Sequence, residues 1–167
     1  MDFTILSITS IQLNKILKNV VLMDTWFFQA SEDDGPRHPV RHEYLSLGRG
    51  WHGLHFLINR TKWSDEGTPP GCYSVLGKHF IEEANTLNIT CSFLFPEEVS
   101  QVYQYLKNLN RNELKRNFNS TLMNKMEIYP TWSKNDFDIL YETFEELVQF
   151  YRMVARKKKC TLNILFY

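Results

Sequence analysis

The chain has 167 residues, with 19 Lys and Arg against 19 Asp and Glu, so its formal net charge is zero when the histidines are neutral. Hydrophobic residues make up 43% and charged residues 23%, a composition that excludes a disordered chain. Net neutrality argues against a nucleic-acid partner, because the chain as a whole does not attract phosphates. No run of 18 apolar residues occurs, so the sequence predicts neither a membrane span nor a membrane partner.

The length fits a single domain over residues 1–167. The N-terminal residues and the cysteines indicate the cellular compartment of the protein. The N-terminal residues carry Asp2 where a signal peptide carries basic residues, which predicts a cytoplasmic protein. Three cysteines without CxxC spacing predict free thiols rather than disulfides. Cys91 and Cys160 lie in strand-like apolar runs and are expected to be buried. Cys72, in a loop rich in Gly and Pro, is the best candidate for a nucleophile.

The first half of the chain predicts short elements around a loop-rich stretch from about residue 30 to 88. Residues 3–8 predict a strand, and Thr9 or Ser10 can cap the helix that follows. The apolar face expected on that helix consists of Leu13, Ile16, Leu17 and Val20. A short helix is predicted where four residues with helical spacing define one face: Trp51, Leu54, His55 and Ile58. Residues 89–95 alternate and predict a strand that enters the core.

The second half is predominantly helical. Pro96 starts a helix, Asn110 caps a second, and Asn119 opens a short turn. The longest helix is predicted over 135–158, with a buried stripe of Phe137, Leu140, Tyr141, Phe144, Leu147, Val148, Tyr151 and Val154. Residues 160–166 alternate in a closing strand. These elements predict an α+β fold, in which a small mixed or antiparallel sheet contains paired terminal strands and is covered by several helices.

Charges on the longest helix are sorted along its length. Its first half carries five acids, namely Asp136, Asp138, Glu142, Glu145 and Glu146. Its end carries five bases, namely Arg152, Arg156, Lys157, Lys158 and Lys159. The helix macrodipole favours this order, and a phosphate or an acidic partner is the alternative explanation for the basic run.

Two stretches together resemble the YfbM-like family, a bacterial domain of unknown function. One is residues 44–58, which contain Trp-His-Gly-Leu-His. The other contains Asn110 and continues through Ile-Tyr-Pro at 128–130 and the long helix. Trp132 follows Pro130 after one residue, whereas the family tends to have two. The resemblance implies a small soluble α+β domain and no known substrate, cofactor or catalytic residue. Residues 27–41 and the lysines at 157–159 look particular to this protein.

One hypothesis places a ligand pocket or an enzyme site in the resembling region. The residues it would use are Trp51, His55, Glu127, Tyr129 and Trp132. A histidine oriented by a carboxylate beside a phenol can move protons, and the aromatic rings can line a pocket. The alternative is that these aromatics pack at the junction of two elements. His52 and His55 have a spacing that can serve a metal, but no third ligand is evident, so no metal or cofactor is predicted.

The favoured hypothesis is a non-enzymatic module that binds a protein partner, for example a toxin domain neutralised by an immunity protein. Motifs of serine nucleophiles and of nucleotide-binding loops are both missing, which disfavours an enzyme. The predicted contact residues are Trp26, Phe28, Glu32, Asp33 and Asp34, which combine aromatic anchors with negative charge. Genomic neighbourhood discriminates the hypotheses, since a toxin-like gene upstream favours binding and a metabolic operon favours a ligand site.

Overall fold

The architecture comes from a computed structural model, which describes residues 1–29, 38–39 and 43–167. Its strands are β1 (Asp2–Ile8), β2 (Phe28–Gln29), β3 (His38–Pro39), β4 (Tyr44–Gly48), β5 (His79–Phe80), β6 (Ile89–Leu94) and β7 (Cys160–Phe166). Its α-helices are α1 (Ser10–Lys18), α2 (Leu22–Phe27), α3 (Trp51–Asn59), α4 (Tyr73–Leu76), α5 (Pro96–Leu106), α6 (Arg111–Asn117), α7 (Ser120–Lys125) and α8 (Phe137–Arg156). Two 3-10 helices span Ser64–Glu66 and Glu82–Leu87.

Five strands form one antiparallel sheet in the order β4-β1-β7-β6-β5. The terminal strands pair along their full length, from Asp2 opposite Phe166 to Ile8 opposite Cys160. Strands β2 and β3 form a separate two-stranded sheet. The predicted α+β fold, with paired terminal strands and a long C-terminal helix, is confirmed.

Helices cover both faces of the sheet, which places β7 at the centre of the core. One face carries Phe3 and Ile5 of β1 and packs against α3, α5 and α8. The other face carries Leu6 and Ile8 and packs against α1, α2 and the second 3-10 helix. Because both faces are covered, all residues of β7 from Cys160 to Leu165 are buried, including Thr161 and Asn163.

Local capping explains where the helices begin. The hydroxyl of Thr9 accepts a hydrogen bond from the Gln12 N–H, and the Gln12 side chain returns the contact in a capping box. Asn110 and Asn119 cap α6 and α7 through their side-chain oxygens, as the sequence predicts. Pro96 begins α5, where its missing N–H leaves no bond unmade.

Several details of the predicted faces differ from the structure. Leu17 is 46% exposed rather than buried. Val20 lies beyond the end of α1, because Asn19 terminates that helix in an extended conformation. Helix α3 is buried on all sides from residue 51 to 58, rather than on one face, because the sheet, α4, α6 and α8 surround it. Helix α8 is shorter than predicted; it half-buries Val148 and fully buries Phe150, which the predicted stripe omits. Among the described helices, none is long and apolar enough to cross a lipid bilayer.

Candidate functional site

His52 joins three segments of the chain through its ring. Its Nδ1 accepts a hydrogen bond from the N–H of Tyr129 at 3.1 Å. The ring proton therefore lies on Nε2, which donates to the carbonyl of Lys62 at 3.0 Å. The ring stacks between Trp51 and Trp63, with centroid distances of 4.6 and 5.0 Å. Burial lowers the pKa of His52, so the neutral ring needed for both bonds is favoured.

His55 and Trp51 lie one turn apart on α3 and are both inside the core. Burial lowers the pKa of His55 to about 4, so the ring is neutral at physiological pH. Its Nδ1 lies 3.4 Å from the Asn59 amide nitrogen. Its Nε2 and the indole nitrogen of Trp51 have no hydrogen-bond partner within the described part of the chain.

Trp132 is locked against α3 by its own hydrogen bonds. Its indole N–H donates to the carbonyl of Ile128 at 2.8 Å. The side chain of Asn124 bridges the backbone of Trp132, accepting from its N–H at 2.8 Å and donating to its carbonyl at 2.9 Å. The ring lies against Gly53, where a Cβ atom would sit 2.1 Å from Cζ2 of Trp132. Gly53 is therefore required by the close approach of this ring.

The structure brings together only some of the residues predicted for a ligand pocket. Tyr129 contacts His52 through its backbone N–H. Glu127 has a side chain that is 85% exposed and lies 3.4 Å from the Lys62 ammonium. Two surface clefts are formed by other residues. One, of about 680 Å³, is lined by Pro70, Glu97, Ser100, Gln101, Gln104, Tyr105 and Asn108. The other, of about 550 Å³, is lined by Gln149, Arg152, Met153, Arg156 and Lys157.

The histidines considered for metal binding and the cysteine considered as a nucleophile are buried in the structure. Both ring nitrogens of His52 are engaged by backbone groups, which leaves none for a metal. Among described residues, no group of three or more His, Cys, Asp and Glu side chains is placed to hold an ion. Cys72, Cys91 and Cys160 are free thiols and buried. Burial raises the pKa of Cys72, which opposes formation of the nucleophilic thiolate.

A histidine–carboxylate pair, formed by residues outside those predicted from the sequence, lies at the β5 edge of the sheet. His79 Nε2 lies 2.9 and 3.0 Å from the two carboxylate oxygens of Glu98. Glu98 also accepts from Lys78 Nζ at 2.6 Å and from the Phe95 N–H at 2.9 Å. Burial acts to raise the pKa of Glu98, but these hydrogen bonds outweigh it and the pKa is lowered. The pair joins β5 to the start of α5. Because its two residues are 19 positions apart, no local sequence pattern predicts their contact.

Trp26, the first of the residues predicted to bind a partner, lies on the opposite face of the sheet from α8. Trp26 on α2 is half-buried, meets Phe27 edge-on at 6.3 Å, and has the Lys15 ammonium 5.6 Å from its ring centroid. Phe28 pairs with Pro39 in the small second sheet. The other three predicted contact residues, Glu32, Asp33 and Asp34, lie outside the described residues.

Exposed aliphatic side chains precede Trp26 in the sequence, on α1 and in the turn before α2. Ile11 is 70% exposed, Val21 is 56% exposed, and Leu17 is exposed at the end of α1. We call Ile11, Leu17, Val21 and Trp26 the α1–α2 surface. Exposed apolar side chains that group within one segment are typical of interaction sites, whereas isolated ones are common on any protein.

Comparisons with known proteins agree on one family and one fold. A family model described as "Domain of unknown function (DUF1877)" matches residues 1–164. The protein YfbM of Escherichia coli strain K12 is 28% identical over 128 residues, which cover 72% of this chain and 75% of YfbM. A crystal structure described as a protein of unknown function, YfbM from Escherichia coli, superposes with a TM-score of 0.76. It shares 24% identity and covers 98% of this chain and 99% of that chain, a likeness that shows the fold alone.

Proposed function

The chain belongs to the DUF1877 family, as its resemblance to YfbM-like proteins implies, and we propose that it is a non-enzymatic, cytoplasmic protein-binding module. The observation that carries the proposal is the α1–α2 surface. A half-buried aromatic side chain, with exposed aliphatic ones nearby in the sequence, would supply the apolar anchor that protein interfaces centre on. The acidic residues 32–34 follow in the chain and would add attraction for a basic partner.

The roles of the aromatic and histidine residues also support a binding module. His52 bonds two backbone segments, Trp132 bonds Ile128, and His55 is buried. These contacts stabilise the junction between α3 and residues 127–132, and they give His52 and the Trp132 indole internal hydrogen-bond partners. The alternative, a ligand pocket or an enzyme around Trp51, His55, Glu127 and Tyr129, stays a prediction that no contact here favours.

The most concrete form of the proposal is an immunity protein that binds and blocks a toxin. Neutralisation requires shape and charge complementarity and no catalytic group. The test is to co-express the chain with the product of the gene next to it and to measure growth. Relief of growth inhibition supports this form, and growth inhibition that persists with a folded chain present contradicts it.

The binding surface is tested by capture from cells of the source organism. Wild type is compared with Trp26→Ala and with the triple variant Glu32→Lys/Asp33→Lys/Asp34→Lys. Loss of a central aromatic anchor costs about 2 kcal/mol or more, so the dissociation constant for the partner should rise by about thirtyfold or more for Trp26→Ala, and less partner should be retained. Charge reversal should slow association and leave stability nearly unchanged.

Leu122→Ala is the matched control, because Leu122 is 38% exposed on α7, on the other side of the sheet. It should retain the partner as wild type does. Equal retention by all four proteins at low salt removes the α1–α2 surface and residues 32–34 from the proposal. If no protein is captured and a small molecule copurifies instead, the module proposal fails.

A further inference from the structure

The solvent face of α8 has a charge pattern that divides at Gln149. Apart from the neighbouring pairs 138/139 and 145/146, its exposed residues recur every three or four positions, so they form one stripe along the helix, and Ile139 is its one apolar member. The stripe carries acids before Gln149 and bases after it, in the order Asp138, Glu142, Glu145, Glu146, Gln149, Arg152 and Arg156. We call these residues the α8 stripe.

Like charges follow one another at one-turn spacing on the α8 stripe. Glu142 and Glu146 are four residues apart, and so are Arg152 and Arg156. Such pairs destabilise a solvated helix, whereas acid–base pairs at the same spacing stabilise it. No ion pair joins any of these four side chains to another described residue.

The helix macrodipole accounts for only the ends of this pattern. Its effect falls off within the first and last turns, where Asp138 and Arg156 lie. Glu142, Glu146 and Arg152 are outside those turns, so another interaction is needed to explain their sorting. Arg152 and Arg156 also line the cleft of about 550 Å³ at the C-terminal end of α8. The third base of that cleft, Lys157, is already paired with Glu43.

We propose that the α8 stripe is the contact surface for a second copy of this chain, with the two α8 helices antiparallel about a two-fold axis at Gln149. Positions that face each other in this arrangement have numbers that add to twice 149. Glu146 therefore faces Arg152 of the second copy, and Glu142 faces Arg156. The same pairs recur on the other side of the axis, which is the self-complementarity that a two-fold interface requires.

The order of charges on the α8 stripe also favours a second copy of the chain over a nucleic acid as its partner. A phosphate backbone that followed α8 from the basic end would meet Glu146, Glu145 and Glu142 within about 15 Å of Arg152. A second copy places bases opposite those acids. This inference is independent of the proposed function, because α8 and the α1–α2 surface lie on opposite faces of the sheet.

Sedimentation velocity on the full chain tests the proposal. Exposed ion pairs are individually weak, so the dimer should form at high protein concentration and low salt. Its dissociation constant should rise about tenfold or more between about 20 mM and about 500 mM NaCl. Wild type that remains monomeric at about 1 mM protein in low salt overturns the proposal.

Complementary charge reversals identify the surface. The Arg152→Glu/Arg156→Glu variant has acidic residues at all four paired positions, and the Glu142→Arg/Glu146→Arg variant has basic residues at the same four positions. Each should be monomeric alone, and an equimolar mixture should form a heterodimer, since every facing pair is again opposite in sign. Self-association of either variant at wild-type strength, or a mixture that stays monomeric, overturns the proposal.

The matched control for Arg152→Glu/Arg156→Glu is Arg116→Glu/Lys125→Glu, which makes the same change in net charge, −4, at exposed positions on α6 and α7. It should dimerise as wild type does. If the control also becomes monomeric, net charge rather than the α8 stripe governs association, and the proposal is wrong. Far-UV circular dichroism at the temperature of the measurement verifies that every variant is folded.

Discussion

Replacement of Gly53 by alanine tests whether Trp132 is a fixed part of the core. In an unobstructed helix interior, alanine is more favourable than glycine by about 1 kcal/mol. At residue 53 the new Cβ would lie 2.1, 2.5 and 2.8 Å from Cζ2, Cη2 and Cε2 of Trp132. Carbon atoms in contact normally lie about 3.5–4.0 Å apart, so the ring or the helix must move.

The indole is not free to move away. Its N–H is bonded to Ile128, and Asn124 holds the backbone of Trp132 on both sides. Overpacking of this kind costs about 1–3 kcal/mol, which outweighs the gain in helix propensity. We therefore expect Gly53→Ala to lower the free energy of unfolding by up to about 2 kcal/mol, as measured by urea denaturation.

A double-mutant cycle separates this clash from other effects of the substitution. Trp132→Ala alone should cost about 3–5 kcal/mol, because it empties a buried site. In that background the clash is gone, so Gly53→Ala should be neutral or stabilising by up to about 1 kcal/mol. The reasoning is refuted if Gly53→Ala stabilises the protein in the wild-type background, or if its effect is the same in both backgrounds.

Three further predictions concern packing, pH and metal content. Phe144→Ala should cost about 3–5 kcal/mol, and Val148→Ala less, because Phe144 is buried and Val148 half-buried; equal losses in urea denaturation would be inconsistent with the observed face of α8. The pKa of His55 is about 4 in the folded chain and about 6.5 when unfolded, so the unfolded state binds more protons and stability falls as pH drops below about 6.5. From about pH 7 to about pH 5 the loss should be about 2 kcal/mol, with a shallower dependence in His55→Gln; identical pH profiles would contradict this. Protein purified without added metal should contain no stoichiometric metal by elemental analysis, whereas about one zinc per chain, lost in His52→Ala/His55→Ala, would restore the metal hypothesis.

The predictable parts of the fold depend on short-range signals. Thr9, Asn110 and Asn119 act on backbone groups within three residues, so their capping roles can be inferred from the sequence alone. The periodicity of α8 fixes most of its buried face in the same way. Periodicity cannot show how many sides of an element are covered. The spacing predicts that α3 buries one face, whereas the folded helix is surrounded. The elements that cover it are distant in sequence, so no local pattern indicates them.

The site residues were harder to predict because their partners are distant. The sequence links His55 with Tyr129, whereas the structure links His52 with Tyr129 across 77 residues. The spacing of two histidines on a helix indicates which faces they occupy but not which backbone groups meet them. The His79–Glu98 pair cannot be predicted for the same reason, since pairing in the sheet brings β5 beside the start of α5.

Hydrogen–deuterium exchange of the chain with and without its captured partner tests the proposed binding function most directly. The account predicts slower exchange in residues 10–42, which contain the α1–α2 surface and the acidic segment. Exchange in residues 51–58 and 127–132 should not change, because residues 51–58 are buried and the side chains of His52 and Trp132 are bonded to backbone groups. Protection confined to residues 51–58 and 127–132 would contradict the account and favour the ligand-site alternative.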